Sequence, residues 1–337
     1  MYFLLRRFAV LLALAAAAPA THAVPITVGG APFVLVANGP GTAQLFGLTA
    51  DALGRVYVGN NSNNTTGIPV QRFDPLLFSG SAIALQSFGP NVGDADGMAL
   101  ANGSIFVADR DEGVQRISVA TQIATLFMPG VAINGTGSPF VIRPTDGHIF
   151  VGRGGLTGDN HIDEYDAAGA FVRTFTTGTD VETMTFDLGT GRIYYAPFGS
   201  AVRALIPDPI TPLDFAVGSS SGTIDGGLAF DPISGRLFVG TANGANSGLV
   251  ETIDPDTGIT SLFASGFAGS LGILREGVSG DLYFLETNSL YRLESSDIDL
   301  PPRSAPEPAT LLLCAIGFVS LAWRRRQGCR RVSNVAR

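Results

Sequence analysis

Four acidic residues in the middle of the chain stand where a metal ion could be bound. Each comes just before a short apolar stretch that is typical of a β-strand. Carboxylate oxygens are the hard ligands that Ca²⁺ prefers, so four carboxylates at neighbouring strand ends predict a calcium site. Aspartate is also an ordinary turn former, which leaves a purely structural role open. The four predicted metal ligands are Asp94, Asp96, Glu182 and Asp225.

A second set of polar residues follows other strand-like segments. Amide, carboxylate and guanidinium groups hydrogen-bond polar ligands, so this set predicts a ligand-binding face. A histidine among them could move a proton near neutral pH, but a lone histidine in a loop indicates no catalytic site by itself. We therefore predict no catalytic residue and no cofactor other than the Ca²⁺ ion. The predicted ligand-face residues are Asn60, Asn61, Asp109, Arg110, Arg153, His161 and Asn243.

The elements that must position these residues repeat along the chain. Six segments share one skeleton, a polar turn that ends in glycine, one variable residue, and then an aliphatic and an aromatic residue. The successive glycines are 49, 44, 44, 44 and 45 residues apart, and such a period with strand-like content is typical of β-propeller blades. The glycines are Gly54, Gly103, Gly147, Gly191, Gly235 and Gly280.

We therefore predict an all-β fold, a six-bladed β-propeller with seven blades as the alternative. Each polar turn joins the two inner strands of a blade, and the last copy lacks a fourth strand. The segment PFVLVAN, from Pro32, is placed to supply that strand and close the ring from the N-terminal side. In a propeller, the loops before the first strand and after the second strand lie at the same end. Both sets of polar residues are thus expected at one mouth of the central channel.

The repeats resemble those of several known propellers. The segment GMALANGSIFVADRDEGVQRISV, from Gly97, is similar to NHL repeats and to gluconolactonase-like and streptogramin-lyase-like propellers. The resemblance spans Leu45 to Glu294 and implies the architecture more than any activity, because such folds serve binding proteins, lactonases and lyases alike. The glutamate that lactonases carry before the first inner strand is missing from GTAQLFGLTAD. A binding module is therefore our first prediction, and a metal-dependent lactonase-like or lyase-like enzyme is the alternative.

The N-terminus has the layout of a secretory signal peptide. Arg6 and Arg7 precede an apolar run over residues 8–18, and a small-residue cleavage site ends at Ala23. Cysteines are found only at Cys314 and Cys329, so disulfides are not expected to stabilise the propeller.

The C-terminus carries a second short apolar segment. The tripeptide Pro306, Glu307 and Pro308 precedes an apolar run over residues 309–323 and an arginine cluster at 324–326. The run is shorter than the roughly 20 residues of a comfortable membrane span, so a transient membrane anchor is expected. These features resemble the PEP-CTERM sorting signal of Gram-negative bacteria. The resemblance implies processing by an exosortase and delivery to the cell surface or extracellular matrix.

These assignments give four predicted regions. They are a signal peptide over 1–23, the β-propeller over 24–299, a linker over 300–305 and the sorting and anchor segment over 306–337, with short apolar helices at the two ends. Between residues 24 and 304 there are 13 arginines against 28 acidic residues, a net charge of −15. Such a charge disfavours nucleic acid and anionic membranes as partners. Exopolysaccharide or a matrix protein is the expected partner of the propeller.

Overall fold

The structure is a computed structural model, and it describes most of the region between the two terminal segments. The described residues are 25–39, 44–61, 68–93, 95–109, 112–129, 139–153, 160–207, 210–242, 248–269 and 271–300. Within these ranges only the backbone is described for residues 44–46, 61, 96, 200, 225, 226, 242 and 271. The chain divides into two units after Asp299. The predicted signal peptide and the predicted sorting and anchor segment both lie outside the described residues.

Nearly all regular structure in the described residues is β-strand. Short strands rich in β-branched and aromatic residues, separated by glycine-containing turns, give this result. The helices in this part of the chain are two single turns of 3₁₀ helix, η1 (Pro75–Leu77) and η2 (Ser295–Asp297). The strands are β1 (Ile26–Thr27), β2 (Val34–Asn38), β3 (Gln44–Ala50), β4 (Val56–Asn61), β5 (Ile68–Phe73), β6 (Ile83–Ala84), β7 (Gln86–Val92), β8 (Ala95–Ala101), β9 (Ser104–Asp109), β10 (Gly113–Ser118), β11 (Ala124–Pro129), β12 (Phe140–Ile142), β13 (Ile149–Arg153), β14 (His161–Tyr165), β15 (Phe171–Thr176), β16 (Thr183–Phe186), β17 (Ile193–Ala196), β18 (Gly199–Ile206), β19 (Leu213–Asp231), β20 (Arg236–Ala242), β21 (Gly248–Ile253), β22 (Thr260–Phe267), β23 (Leu271–Arg275), β24 (Leu282–Glu286) and β25 (Ser289–Leu293).

Most of the described strands form antiparallel groups in sequence order, whereas β2 pairs parallel with β6. Three sheets have the orders β3-β4-β5-β7, β8-β9-β10-β11 and β12-β13-β14-β15, and a fourth runs β23-β24-β25-β2-β6. The remaining sheet has eight strands in the order β1-β22-β21-β20-β19-β18-β17-β16. It joins two groups through β19, which pairs with β18 along its first half and with β20 along its second.

The first strands of the groups contact one another in a closed ring. The order around the ring is β3, β8, β12, β16, the second half of β19 and β23, and β23 returns to β3. Buried side chains fill the space between neighbouring groups; Tyr57 and Phe88, for example, pack with Ile105 and Val107. This is the arrangement of a β-propeller, and the all-β prediction is confirmed. Because β19 belongs to two groups, the number of sheets does not give the number of blades. Six blades, with seven as the alternative, therefore stays a prediction.

The N-terminal segment binds to two neighbouring groups. Strand β2 pairs antiparallel with β25, which is the closure expected for the segment from Pro32. Strand β1 pairs with β22 of the preceding group, a contact that the sequence did not predict. Between them, the buried Phe33 ring lies edge-on to Phe267 and Phe284, with centroid distances of 5.1 and 4.8 Å. The N-terminal segment therefore connects the two groups.

The hairpin turns between the first and second strands define one end of the ring. Gly54, Gly191 and Gly235 adopt φ of 75°, 74° and 69°, which glycine tolerates without strain. An acidic side chain at the start of several turns accepts a backbone N–H, as Asp187 does from Gly189 at 2.8 Å. We call this end, formed by turns 51–55, 101–104, 143–148, 187–192, 231–235 and 276–281 with η1 and η2, the turn end. The opposite end, where first strands begin and second strands finish, is the loop end.

Candidate functional site

Two of the predicted metal ligands lie at interruptions of the first strands. In β8, Ala95 pairs with Asp109 and Gly97 with Ala108, which leaves Asp96 as an extra residue in a β-bulge. A bulge removes a residue from the ladder and redirects its side chain, and bulges are common beside functional sites.

The second half of β19 is interrupted in the same place. There Ile224 pairs with Thr241 and Gly227 with Gly240, so Asp225 and its neighbour Gly226 are extra. A further bulge interrupts β3 between Leu45 and Leu48. Asp225 and Asp96 are therefore both unpaired in the strand ladder near the loop end. Their side chains lie outside the described atoms.

Glu182 occupies a comparable position beside β16. Its backbone N–H donates to the Ala196 carbonyl at 2.9 Å, while the next residue, Thr183, also pairs with Ala196. Two residues thus oppose one, as in the bulges, and the Glu182 side chain is half-buried. The fourth predicted ligand, Asp94, lies outside the described residues. Within the described part of the chain, no group of three or more His, Cys, Asp or Glu side chains is arranged to hold a metal ion. The calcium site stays a prediction.

Asn60 is a buried polar residue with an unused acceptor. Its Nδ2 donates to the Ile68 carbonyl at 3.1 Å, and no described atom donates a hydrogen bond to its Oδ1. The backbone just before it packs very closely, because a Cβ on Gly59 would lie 2.1 Å from the Ala95 carbonyl oxygen. A buried carbonyl-type oxygen without a donor is costly, so a ligand donor or a cation at this point would stabilise the site.

Asp109 is used inside the protein. Its buried carboxylate accepts from the Gly93 backbone N–H at 3.1 Å and from Gln115 Nε2 at 3.0 Å. Gln115 Nε2 also donates to Glu112 at 3.0 Å. These bonds hold the connection between β7 and β8 against the end of β9. Asp109 thus has a structural role at the loop end.

Arg153 and His161 meet at an aspartate that the sequence analysis did not select. Arg153 Nε donates to Asp163 Oδ2 at 3.1 Å, and His161 Nε2 lies 3.6 Å from the same oxygen. The other carboxylate oxygen accepts from Thr174 Oγ1 at 2.6 Å. Burial, followed by the Asp163 charge, raises the pKa of the adjacent Tyr165. Strand alternation in HIDEY places His161 and Asp163 on one face, which is the signal that could have identified Asp163.

The turn end carries a larger ion network that was also not predicted. The buried Glu164 accepts from Arg173 Nε at 2.6 Å and from Arg143 at 3.1 Å, and His148 Nδ1 lies 2.7 Å from Oε1. Arg143 also forms a bidentate contact with Asp146. His148 is the last residue of turn 143–148 and so belongs to the turn end.

The other predicted residues are not described at the level of side chains. Asn61 pairs through its backbone with Gln44 at the end of β4. Arg110, Asn243 and the sorting motif of Pro306, Glu307 and Pro308 lie outside the described residues. Of the helices in the described ranges, none has the length and apolar character needed to cross a membrane.

The C-terminal segment matches a known family model. Residues 304–326 match the PEP-CTERM protein-sorting motif. This motif implies export, sorting to the surface and processing by an exosortase. No curated protein sequence matches the chain.

Solved structures with similar folds include two propeller enzymes. A gluconolactonase from Xanthomonas campestris is 13% identical with a TM-score of 0.61, and the match covers 82% of this chain and 96% of that one. Virginiamycin B lyase from Staphylococcus aureus is 14% identical with a TM-score of 0.52, and the match covers 79% and 86% of the two chains. Identities this low indicate a shared fold and no shared activity, so the enzyme alternative stays a prediction. The chain thus carries a PEP-CTERM protein-sorting motif at its C-terminus, behind a domain with the β-propeller fold.

Proposed function

We propose that this protein is an exported, surface-associated β-propeller that binds a neutral polysaccharide at its loop end. The single observation behind the proposal is the pair of bulges at Asp96 and Asp225. Both acidic residues are unpaired in the strand ladder near the loop end of the first strand in their group. Asn60, with its unused amide oxygen, lies at the same end.

The chemistry of these groups favours a polyhydroxylated ligand. Carboxylate and amide oxygens accept hydrogen bonds from hydroxyl groups, and a charged acceptor forms the stronger bond. Arg153, one of the two arginines predicted at this face, is already engaged by Asp163. With a net charge of −15 over residues 24–304, the domain would repel an anionic polymer. A neutral glycan is therefore the best match.

The sorting motif supports the same proposal. An exported protein sorted to the surface meets exopolysaccharide and matrix proteins there. A matrix protein is the other partner expected at this location, and it is distinguished by the test below. Exosortase acts on the C-terminal motif, so its contact with the chain is separate from ligand binding at the loop end.

A glycan array probed with the purified full chain in detergent micelles tests the proposal. We expect the chain to bind neutral glycans, and Asp96→Asn together with Asp225→Asn to weaken binding by about 10- to 100-fold, as expected for lost charge-assisted hydrogen bonds. Glu294→Gln, a change at an exposed carboxylate of the turn end, is the matched control and should leave binding unchanged.

Two results would contradict the proposal. Absence of binding to all glycans, combined with capture of a purified matrix protein, would replace the polysaccharide with a protein partner. Equal binding by the double variant and the wild type would remove the loop end from recognition.

A further inference from the structure

The turn end exposes aliphatic side chains at the tips of its hairpin turns. Four turns in consecutive groups each present one such residue, and these side chains are between 62% and 72% exposed. Isolated exposed aliphatic residues are ordinary, but repeated ones at a single end of the domain favour an apolar partner there. We call them the turn-tip residues; they are Leu53, Leu188, Ile233 and Val278.

Contacts between neighbouring groups fix the turns that carry these residues. Arg275, which ends β23, forms a buried ion pair with Asp231 at 3.1 Å and so joins turn 231–235 to turn 276–281. Turn 51–55 adjoins the latter, because a Cβ on Gly54 would lie 4.0 Å from the Glu276 carboxylate. Arg192 reaches Asp256 at 3.7 Å and joins turn 187–192 to the group of Ile233. The turn-tip residues thus lie on turns that are tied to their neighbours.

The chain leaves the described domain at this same end. Helix η2 follows β25 and is attached to turn 276–281, since the Ser295 backbone N–H donates to Asp281 Oδ1 at 2.9 Å. Nine residues, 300–308, then precede the apolar run over 309–323. Nine residues can reach about 32 Å at most, because a fully extended chain advances no more than about 3.6 Å per residue.

We propose that the turn end is a membrane-facing surface whose turn-tip residues enter the interface of a lipid bilayer before the C-terminus is processed. The proposal rests on the predicted anchoring of residues 309–323, which would keep this end no farther from the bilayer than residues 300–308 can reach. Leu, Ile and Val at turn tips are suited to shallow burial among lipid headgroups and acyl chains. Exposed Glu294, Asp297 and Asp299 lie at the same end, so a zwitterionic surface fits better than an anionic one.

Fluorescence of the full chain in phosphatidylcholine vesicles tests this proposal. Cys314 and Cys329 are first changed to Ser, and Ile233→Cys is labelled with the environment-sensitive dye NBD. The matched control is Phe198→Cys, because Phe198 is 65% exposed in the connection between β17 and β18 at the loop end. The sole tryptophan, Trp323, reports insertion of the apolar run independently.

We expect a blue shift of Trp323 emission and of NBD at position 233, and no shift of NBD at position 198. Adding phosphatidylglycerol should reduce the shift at 233 while that of Trp323 persists. A Trp323 shift without an NBD shift at 233 overturns the membrane-facing surface and leaves the anchor standing. Absence of both shifts overturns the anchor and this surface together. An NBD shift at 233 that grows with the protein-to-lipid ratio would identify a second copy of the chain as the occupant and would also overturn the proposal.

Discussion

The two ends of the propeller are built by different means. At the turn end, the same local solution recurs in one group after another, with a glycine at positive φ and, in most turns, an acidic side chain that accepts a backbone N–H. At the loop end, bulges interrupt β3, β8 and β19, and a buried amide oxygen has no described donor. The repeated end fixes the architecture, whereas the irregular end carries the residues proposed for binding.

The difference indicates that stability should depend mainly on the turn end and ligand binding mainly on the loop end. Turns that satisfy their own polar groups and tie neighbouring groups together should be sensitive to loss of those ties. Bulges and unused acceptors are tolerated where a ligand compensates them, so changes there should affect binding more than folding. The changes below probe this separation.

Loss of the buried ion pair at the turn end should have the largest effect. The side chains of Arg275 and Asp231 are 7% and 2% exposed, and Arg275→Met would leave the Asp231 carboxylate buried without its cation. We expect a loss of about 3–5 kcal/mol in the free energy of unfolding, measured by urea denaturation. Glu294→Gln, which removes the exposed carboxylate from its pair with Arg292, is the control and should cost about 1 kcal/mol or less. A loss below 1 kcal/mol for Arg275→Met would show that the turn end does not hold the groups together.

A glycine at each end gives the next comparison. Gly59→Ala would place a Cβ 2.1 Å from the Ala95 carbonyl oxygen and force two groups apart at the loop end, which should cost about 2–3 kcal/mol. Gly103→Ala, in a turn with φ of 69° and open space around the new Cβ, should cost about 1–2 kcal/mol from backbone strain alone. Thermal unfolding of both variants measures the difference. Equal losses would mean that the close approach at Gly59 relaxes without cost.

The turn end could be predicted from sequence because its signals are local. The glycine period located the hairpins, and the apolar segment from Pro32 identified β2 as the closing strand. The pairing of β1 with β22 could not be predicted, since two residues carry no pattern. The Glu164 network needs the register of three strands, which no single segment encodes.

The loop end was harder to predict because its irregularities are specific to each group. Asp96 and Asp225 were selected as acidic residues, yet the bulges that hold them were missed. Both are followed by glycine, and a glycine inside a strand pattern is the usual sign of a bulge. Asp163 was missed because its partners, Arg153 and Thr174, come from the two flanking strands.

Lowering the pH should show how much the Asp51 carboxylate contributes to the free energy of unfolding. Burial, the largest influence, raises the pKa of Asp51, but hydrogen bonds from Arg55, from the Leu53 backbone and from Tyr57 together leave that pKa below its usual 3.8. A carboxylate with a lowered pKa contributes stability above pH 3.8 that is lost as the pH falls through the folded-state value. Asp51→Asn should therefore cost about 1.5 kcal/mol at pH 7, and the difference from wild type should shrink below pH 3.8. Urea denaturation across pH 2–7 measures it, and a pH-independent difference would contradict the lowered pKa.

Calcium should give the smallest effect and the sharpest distinction between the two ends. If the acidic residues of the loop end bind Ca²⁺ with the affinity of extracellular calcium modules, a Kd of about 10⁻⁴–10⁻³ M, then 1 mM Ca²⁺ should stabilise the fold by about 0.4–1.4 kcal/mol. For a domain of this size that is a rise in Tm of about 1–4 °C. Asp96→Ala and Asp225→Ala should each abolish the rise. Asp254→Ala, at a turn-end aspartate that accepts hydrogen bonds from the backbone N–H groups of Asp256 and Thr257, should keep it.

A wild-type Tm that does not respond to Ca²⁺ would remove the metal from the loop end and leave Asp96 and Asp225 free to accept hydrogen bonds from a glycan. A rise that Asp254→Ala abolishes, while Asp96→Ala and Asp225→Ala keep it, would instead place the ion at the turn end and reverse the assignment of roles to the two ends.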